Sequence, residues 1–359
     1  MREFLNPDLL ATSLNTILGS ARVPGLVVAA ARGSAPPVLL AWGADAHGTP
    51  LAVDTLFPVA SVTKLATALA VLHLVEQGAL ALDDPLRSHL PEAAAARADI
   101  TIAALLCHTS GLPADVAPEL ALYTPDLTWR TLAEACLATF PATAPGEQVQ
   151  YSNVGYGLLA LIVEHYAGTS FAEALGRLVL EPLGIEGYLG APTLPREPAV
   201  LADARGPAGS GAELAPFNSS FWRALALPWA GLVTTAAGAL ALVRAFCQPG
   251  PSILGEPMRL QATFNHTGEL AGGFRPPMWW HPCPWGLGPE LRGHKHPHWA
   301  PARHPASFGH SGASGCLAWA DPEHDLAWAF VGARTADSGW LLRRGAAVSE
   351  AIIAALGSM

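Results

Sequence analysis

The pattern of apolar and polar positions predicts strands near both ends of the chain. An amphipathic helix is expected to begin at Asn6 or Asp8. Two apolar runs follow it, PGLVVAAARG and VLLAWGADAHG, joined by a Ser/Pro turn. Near the other terminus, ASGCLAWA and DLAWAFVGA flank a DPEH turn and precede a helical pattern over about 338–355. Apolar runs of this length between turn residues are typical of strands.

The middle of the chain carries a helical pattern instead. From Ser61 to Gly78, apolar side chains recur every three or four residues, and Gly78 stands where a helix is expected to stop. Shorter helical stretches separated by Pro and Gly continue to about Gly250. This order predicts an α/β (α+β) fold in which both chain termini form an antiparallel sheet flanked by helices, with an inserted all-α domain.

The same order predicts the domain limits. We expect residues 1–60 and 280–359 to form a discontinuous α/β domain. Residues 61–279 would form a mainly helical domain with a Pro/Trp-rich loop region at its end. The length of 359 residues fits about two domains. The active site would lie between them.

Residues 249–305 are dense in Pro, Trp, His and Gly, which predicts mainly loop with a strand at about 285–291. Long loops on a compact domain are often functional, so this segment is expected to set specificity. Its tryptophans would either wall an apolar pocket or pack in the core, and the sequence leaves both open: Trp279, Trp280, Trp285 and Trp299.

Three alternating histidines in this segment, His294, His296 and His298, would share one face of a strand and could bind a metal there. However, Pro297 disturbs a strand, and no carboxylate or cysteine joins the histidines. A solvated loop is the better interpretation, so the sequence predicts neither a metal nor a cofactor.

Composition and charge narrow the class of protein. Hydrophobic residues make up 51% of the chain and charged residues 14%, which suits a packed core. The net charge of -9 and the lack of any Lys/Arg-rich run predict no nucleic-acid partner. The cysteines form no C-x-x-C pair and are expected to be buried reduced thiols: Cys107, Cys136, Cys247, Cys283 and Cys316.

Two segments bear on membranes and location. The uncharged stretch between Arg223 and Arg244 is long enough to span a bilayer. Breakers such as Pro228 and Gly231 divide it, so we expect a turn and a short packed helix, with no membrane partner. An early Asn-Pro-Asp interrupts the first residues, which do not match a signal peptide, so a cytoplasmic location is expected.

The first chemical motif is Ser61-Val-Thr-Lys64. Residues three apart share a face of a helix, so the Ser61 hydroxyl and the Lys64 ammonium can meet. A serine hydroxyl needs a base to take its proton, and a poorly solvated lysine can lose its own charge and serve as that base. A helix start at Ser61 would also favour developing negative charge.

The second motif is Tyr151-Ser-Asn153, which precedes a helical run. A positive Lys64 beside Tyr151 could lower the pKa of the phenol toward phenolate, which could then shuttle a proton. The Asn153 amide can donate to a substrate carbonyl and accept from Lys64. A buried Tyr followed by a helix-capping Asn would give the same pattern.

The third motif is His310-Ser311-Gly312, which enters a predicted strand. Because Gly312 has no side chain, a substrate could lie against that strand edge. A backbone N–H just after Gly312 could complete an oxyanion hole with the N–H of Ser61. A Gly-rich turn would look the same.

Taken in order, the three motifs resemble those of the serine β-lactamase and penicillin-binding-protein superfamily. The branch that looks closest contains class C β-lactamases, D-alanyl-D-alanine carboxypeptidases and related esterases. Further segments are similar to that branch, so the resemblance runs from about Pro24 to the C-terminus: GALALDDPLRSHLP, LLCHTSGLP, PLGI and AGLVTTAAGALAL.

The resemblance implies a serine hydrolase that forms an acyl-enzyme. Ser61 would be the nucleophile, and Lys64 and Tyr151 would share the roles of base and acid. The other implied roles are substrate contact and orientation of the lysine by Asn153, an opposite wall of His310, Ser311 and Gly312, and an oxyanion hole of the N–H groups of Ser61 and Ala313.

One departure from the family pattern affects the expected substrate. β-Lactamases of this branch usually carry Lys where this chain has His310, and a histidine is mostly neutral at pH 7. A cation for a β-lactam carboxylate is therefore missing, which favours a small carboxylic ester or peptide-like amide. A β-lactamase or D-alanyl-D-alanine carboxypeptidase, and a catalytically silent ligand-binding relative, remain the alternatives.

Overall fold

The computed structural model describes residues 3–206, 211–247, 252–274 and 276–358. An antiparallel sheet built from both ends of the chain is flanked by helices, so the predicted fold class is confirmed.

The helices of the described part are α1 (Pro7–Gly19), α2 (Thr63–Glu76), α3 (Ile102–Leu106), α4 (Trp129–Ala138), α5 (Asn153–Ala167), α6 (Phe171–Leu175), α7 (Ser220–Ala224), α8 (Ala236–Arg244), α9 (Glu256–Ala262) and α10 (Trp340–Ala355). The strands are β1 (Glu3–Leu5), β2 (Gly25–Arg32), β3 (Val38–Gly43), β4 (Phe57–Pro58), β5 (Val149–Gln150), β6 (Gly187–Tyr188), β7 (Val233–Thr234), β8 (Gly272–Gly273), β9 (Trp279–Trp280), β10 (Glu290–Leu291), β11 (Phe308–Gly312), β12 (Cys316–Asp321), β13 (Leu326–Gly332) and β14 (Leu356–Ser358).

The central sheet has six antiparallel strands in the order β10-β11-β12-β13-β2-β3. The N-terminal strand β2 pairs with the C-terminal strand β13, with Val27 opposite Val331. On the other side, β11 pairs with β12, with His310 opposite Ala318. This pairing joins the two ends of the chain and places the third motif on a strand near the edge of the sheet.

Both faces of the central sheet are buried, and alternation along β2 shows how. Leu26 and Val28 belong to one apolar core with residues of α1 and α10. Val27 and Ala29 point to the opposite face and join a second core with residues of α2, α5 and α8. Successive side chains of a strand point to opposite faces, so a continuous apolar run suits a strand covered on both sides.

The region between the two strand-forming ends is mainly helical. It contains α2 to α9, and the strands there have two residues each. This arrangement agrees with the predicted order of strands and helices. The predicted limits at residues 60, 61, 279 and 280 stay a prediction.

Several local predictions can be compared with the structure. Asn6, not Asp8, caps α1, because its side chain accepts from the N–H of Leu9. The uncharged stretch before Arg244 folds into β7 and the short α8. Within the described residues, no helix has the length and apolar character needed to cross a bilayer.

Residues 249–305 depart from prediction in detail. Of this segment, 249–251 and 275 lie outside the described residues. The strand expected at 285–291 is reduced to β10, with an isolated bridge between Trp285 and Glu290. Trp280, Trp285 and Trp299 are buried in the core, whereas Trp279 is exposed. The five cysteines are free thiols; Cys247 is half-buried and the others are buried.

The solvated-loop interpretation of the three histidines is wrong for one of them. His294 and His296 are exposed, but His298 is buried. Its Nε2 lies 3.2 Å from Oε1 of Glu290, a carboxylate that the sequence pattern did not connect with it. No group of three or more His, Cys, Asp or Glu side chains in the described part of the chain is placed to hold a metal ion.

Candidate active site

Ser61 lies in a single 3-10 turn, Ala60–Val62, directly before α2, so the α-helix begins two residues later than the sequence predicted. The preceding residue, Ala60, has a φ of 43°, which an alanine rarely adopts. The N–H of Val59 donates to the carbonyl of Leu232 at 2.9 Å and holds this segment to the helical region. Backbone strain of this kind is often found at functional sites.

Lys64 lies on the first turn of α2, and its side chain is fully buried. Its Nζ donates to Oδ1 of Asn153 at 2.6 Å and to the carbonyl of Trp229 at 3.1 Å, and it lies 3.5 Å from Oγ of Ser61. Burial lowers the pKa of Lys64 well below its ordinary value, and the charge of Asp115 only partly opposes this. The site therefore favours a neutral amine beside the Ser61 hydroxyl.

Tyr151 lies against this amine, with Lys64 Nζ 4.6 Å from the centre of its ring. The Tyr151 hydroxyl is buried, and among the described residues no hydrogen bond of good geometry reaches it. Burial raises the pKa of Tyr151, and the negative charges of Glu290 and Asp115 raise it further. The nearby hydroxyl of Ser61 opposes this increase only in part. The prediction that Lys64 would shift Tyr151 toward phenolate is therefore wrong.

Asn153 is the first residue of α5, and the residue before it caps the helix. Oγ of Ser152 accepts from the N–H of Gly155 at 3.1 Å and donates to the carbonyl of Pro113 at 2.6 Å. The Asn153 amide is then free to span two groups: Oδ1 accepts from Lys64, and Nδ2 donates to Oδ1 of Asp115 at 2.6 Å. The predicted orientation of Lys64 by Asn153 agrees with these contacts.

Asp115 was not found by the sequence reasoning. It follows the LLCHTSGLP segment by two residues. That segment is held against the second motif, because the N–H of Asn153 donates to the carbonyl of Ala114 at 2.7 Å. Contact between an aspartate and an asparagine 38 residues apart has no local signal in the sequence.

His310 lies on β11 and is buried beside Tyr151, with 5.9 Å between the ring centres. Its Nδ1 lies 2.6 Å from the carbonyl of Ser311, so Nδ1 carries the hydrogen. Burial and the nearby Lys64 lower the pKa of His310 to about 4. The expectation of a neutral side chain at pH 7 is confirmed.

The lack of a side chain at Gly312 has a structural role that differs from the predicted one. A Cβ at Gly312 would lie 2.4 Å from the carbonyl oxygen of Val59 and 2.5 Å from Sγ of Cys316. The glycine therefore lets β11 approach the segment that carries Ser61, and the space of its missing side chain is already filled. Among the described backbone hydrogen bonds, the N–H of Ala313 donates to no carbonyl. Its pairing with the N–H of Ser61 in an oxyanion hole stays a prediction.

Aromatic rings pack around Tyr151 and fix its position. The ring centre of Phe274 lies 4.2 Å from that of Tyr151, His108 4.6 Å and Trp285 5.9 Å. Nδ1 of His108 accepts the N–H of Ser152 at 3.1 Å, which ties the loop before α5 to this ring cluster. Neither His108 nor Phe274 was recognised as part of the site from the sequence.

A buried ionic cluster lies behind Trp285. Glu290 accepts from Lys295 at 2.8 Å, and Lys295 Nζ lies 4.9 Å from the ring centre of Trp285. Burial alone would raise the pKa of Glu290, but Lys295 and His298 outweigh it and hold the pKa at about 2. Because β10 pairs with β11, Glu290 lies opposite Gly309 and next to the strand position of His310.

Asn153 also lines an apolar pocket of 520 Å³. Trp229, whose carbonyl accepts from Lys64, forms part of its wall. The lining residues are mainly apolar, with one carboxylate among them: Asp115, Val116, Pro118, Ala121, Leu122, Tyr123, Thr124, Leu127, Leu132, Asn153, Val154 and Trp229.

Comparisons with known proteins show which proteins this chain is similar to. Esterase EstB of Burkholderia gladioli is 39% identical over 166 residues, which are 40% of this chain and 41% of the esterase, so the match spans less than half of that relative. A beta-lactamase of Mycobacterium bovis is 28% identical, with a TM-score of 0.65 over 95% of this chain and 98% of the other.

A penicillin-binding protein homolog of Caulobacter crescentus shares the fold, with 24% identity and a TM-score of 0.72 over 97% of this chain and 98% of the other. The family model described as Beta-lactamase matches residues 10–347. The chain therefore belongs to the Beta-lactamase family of serine hydrolases.

Proposed function

We propose that the protein is a serine hydrolase that cleaves a small carboxylic ester or peptide-like amide through an acyl-enzyme on Ser61. The observation that carries the proposal is the fully buried Lys64, whose amine faces the Ser61 hydroxyl and whose pKa is lowered by that burial. A neutral amine in this position can accept the serine proton, which is what an alkoxide nucleophile requires.

The described contacts support separate proton-transfer roles for Lys64 and Tyr151. Lys64 takes the proton of Ser61 as its oxygen attacks the substrate carbonyl. Tyr151, neutral because of its raised pKa, is suited to give a proton to the leaving group and to regain one from Lys64. Water would then attack the acyl-enzyme with the same two groups acting in reverse. The N–H groups of Ser61 and Ala313 are proposed to stabilise the oxyanion.

An ester or amide is preferred over a β-lactam in this proposal because His310 is neutral. With a pKa of about 4, it offers no cation to a substrate carboxylate at pH 7. The likeness to an esterase over part of the chain supports the same ranking. A β-lactamase or D-alanyl-D-alanine carboxypeptidase is the second candidate, supported by the shared fold and family.

A fluorophosphonate probe with intact-mass analysis tests the mechanism. We expect one adduct on the wild-type protein, no adduct on Ser61→Ala, and an unchanged adduct on the control Ser13→Ala, which removes a half-buried hydroxyl from α1. Absence of a wild-type adduct, or its persistence in Ser61→Ala, would contradict the proposed nucleophile and favour a catalytically silent relative.

Turnover of a short p-nitrophenyl ester and of a chromogenic cephalosporin ranks the substrates. We expect a higher kcat/KM for the ester. If the cephalosporin is preferred by about tenfold, which corresponds to about 1.4 kcal/mol in the barrier, the β-lactamase alternative would replace the esterase.

A further inference from the structure

A buried thiol, that of Cys316, lies between the two segments proposed to supply the oxyanion hole. Cys316 is the first residue of β12, directly after the turn that joins β11 to β12. Its Sγ donates to the carbonyl of Val59 at 3.0 Å. Oγ of Ser314, in the turn, lies 3.3 Å from the same sulfur. The thiol therefore contacts the residue two positions before Ser61 and the residue directly after Ala313.

The hydrogens of these two contacts have one consistent arrangement. A thiol has a single hydrogen and a carbonyl oxygen can only accept, so the hydrogen of Cys316 points to Val59. The sulfur then accepts, and the Ser314 hydroxyl donates to it. Burial raises the pKa of the Cys316 thiol to about 12, so the thiol keeps this hydrogen at neutral pH.

Val59 is the residue on which the geometry of the nucleophile segment depends. The next residue, Ala60, has a φ of 43°, a conformation that persists only where the surrounding structure holds it. The N–H of Val59 donates to the carbonyl of Leu232 at 2.9 Å, and the carbonyl of Val59 accepts from Cys316. The residue before the strained turn is therefore fixed from the helical region through its N–H and from the central sheet through its carbonyl.

The turn between β11 and β12 has its own backbone bonds. The N–H of Gly315 donates to the carbonyl of Gly312 at 2.9 Å, and the carbonyl of Ala313 accepts from the N–H of Ala336 at 2.8 Å. These two bonds set the shape of the turn, but they do not reach the segment that carries the nucleophile. The thiol of Cys316 does reach that segment, so it can fix the turn relative to the nucleophile.

We propose that Cys316 is a positioning residue that sets the separation of the Ser61 and Ala313 N–H groups by joining the two segments that carry them. This inference rests on the proposed function, because it concerns the oxyanion hole of the same serine hydrolase. Oxyanion donors are effective when they are held at the place where charge develops in the transition state. Loss of the thiol hydrogen bond is therefore expected to lower kcat and to leave KM nearly unchanged.

Two pairs of variants separate the hydrogen bond from the volume of the side chain. Cys316→Ser keeps a donor that Cys316→Ala lacks. Cys316→Thr and Cys316→Val have the same shape, and only the first can donate to Val59. Turnover of a short p-nitrophenyl ester is measured for each variant. Fluorophosphonate labelling, carried to completion and followed by intact mass, counts the active sites, so kcat refers to folded protein alone.

We expect kcat per active site to fall by about 10- to 100-fold in Cys316→Ala and Cys316→Val, with KM within about twofold of wild type. Cys316→Ser and Cys316→Thr should keep at least about a third of the wild-type kcat. Cys247→Ala is the matched control, because the thiol of Cys247 also donates to a carbonyl, that of Val243 at 3.6 Å, but does so at the end of α8. This control should keep the wild-type kcat and KM.

Inhibition by a trifluoromethyl ketone gives a second readout of the oxyanion hole. Oγ of Ser61 bonds to the ketone carbon, its proton passes to Lys64, and the carbonyl oxygen takes the electron pair as an oxyanion. The inhibition constant should rise in Cys316→Ala and Cys316→Val by about the factor by which kcat falls. A general loss of stability would not change either quantity per active site.

The outcomes separate the two proposals. A kcat per active site within about threefold of wild type in both Cys316→Ala and Cys316→Val, or equal losses in Cys316→Thr and Cys316→Val, would overturn the inference and leave the hydrolase in place. Absence of a fluorophosphonate adduct on Ser61 of the wild-type protein would overturn the proposed function itself.

Discussion

Replacement of Glu290 by Gln is expected to destabilise the protein strongly at neutral pH. Oε1 of Glu290 accepts from Lys295 at 2.8 Å and from His298 at 3.2 Å, and Oε2 accepts from Trp299 at 3.2 Å. All these contacts are buried. A glutamine must turn its NH₂ group toward one of these donors, and Lys295 is left as an uncompensated buried cation. Removing one partner of a buried ion pair typically costs about 3–5 kcal/mol.

The pH dependence of this effect follows from the pKa of Glu290. Its pKa is about 2 in the folded protein and 4.5 ordinarily, so the unfolded chain binds the proton more readily between these values. The contribution of the carboxylate is fully present above pH 4.5 and is lost as the pH falls toward 2. Between pH 6 and pH 3, the difference in unfolding free energy between wild type and Glu290→Gln should shrink by about 2 kcal/mol.

Urea unfolding followed by tryptophan fluorescence measures both quantities. The double variant Glu290→Gln/Lys295→Met should recover at least about half of the loss, because it removes the unpaired cation. A loss below about 1 kcal/mol in the single variant at pH 7 would refute the assigned ion pair. So would a double variant that is less stable than Glu290→Gln, or a difference that does not change with pH.

Three further predictions concern the site itself. Lys64→Arg should lower kcat by at least about 100-fold, because a guanidinium does not deprotonate in proteins. In a pH–rate profile, kcat/KM of the wild type should rise with pH through the lowered pKa of Lys64, and kcat/KM of the variant should lack this rise. His310→Gln should leave the shape of the pH–rate profile between pH 6 and 8 unchanged, because a pKa of about 4 keeps His310 neutral there. Gly312→Ala should lower the free energy of unfolding by about 1–3 kcal/mol in a urea titration and reduce kcat, because the new Cβ would push against Sγ of Cys316 on β12 and against the carbonyl of Val59 in the segment that carries Ser61.

The order of strands and helices was predictable because it depends on local patterns. Continuous apolar runs such as β2 identify strands covered on both faces, and periods of three to four residues identify α2. The motif residues Ser61, Lys64 and Tyr151 were likewise found from spacing and from their order in the chain. The structure then brings them together through α2 and the loop before α5.

The residues that the sequence did not reveal act through distant contacts. Asp115 reaches the site because the segment before it bonds to the start of α5. Asp115 itself accepts from Asn153, which lies 38 residues further along the chain. Glu290 matters because the loop after it folds back and buries Lys295 against the same carboxylate. Neither pair of residues is separated by a helical or strand period, so only the packing of separate segments brings the two members together.

The wrong prediction for the pKa of Tyr151 has a related cause. Spacing correctly placed a lysine near the tyrosine, but the sign of the pKa shift depends on burial, which the sequence does not give. Full burial lowers the pKa of Lys64 and so weakens the positive charge that was expected to favour a phenolate, while it also penalises the phenolate directly. Burial therefore favours the neutral form of both groups, and in the proposed mechanism Lys64 gains its charge by accepting the proton of Ser61.

This charge pattern supports the proposed ranking of an ester above a β-lactam. Lys64 and His310 are both shifted toward their neutral forms, so the groups that face Ser61 provide no fixed cation for an anionic substrate. The carboxylate of Asp115, which accepts from the Asn153 amide, repels anions. A β-lactam with its carboxylate meets both disadvantages, and a neutral ester meets neither. The proposed preference for an ester over a β-lactam follows from the signs of these charges.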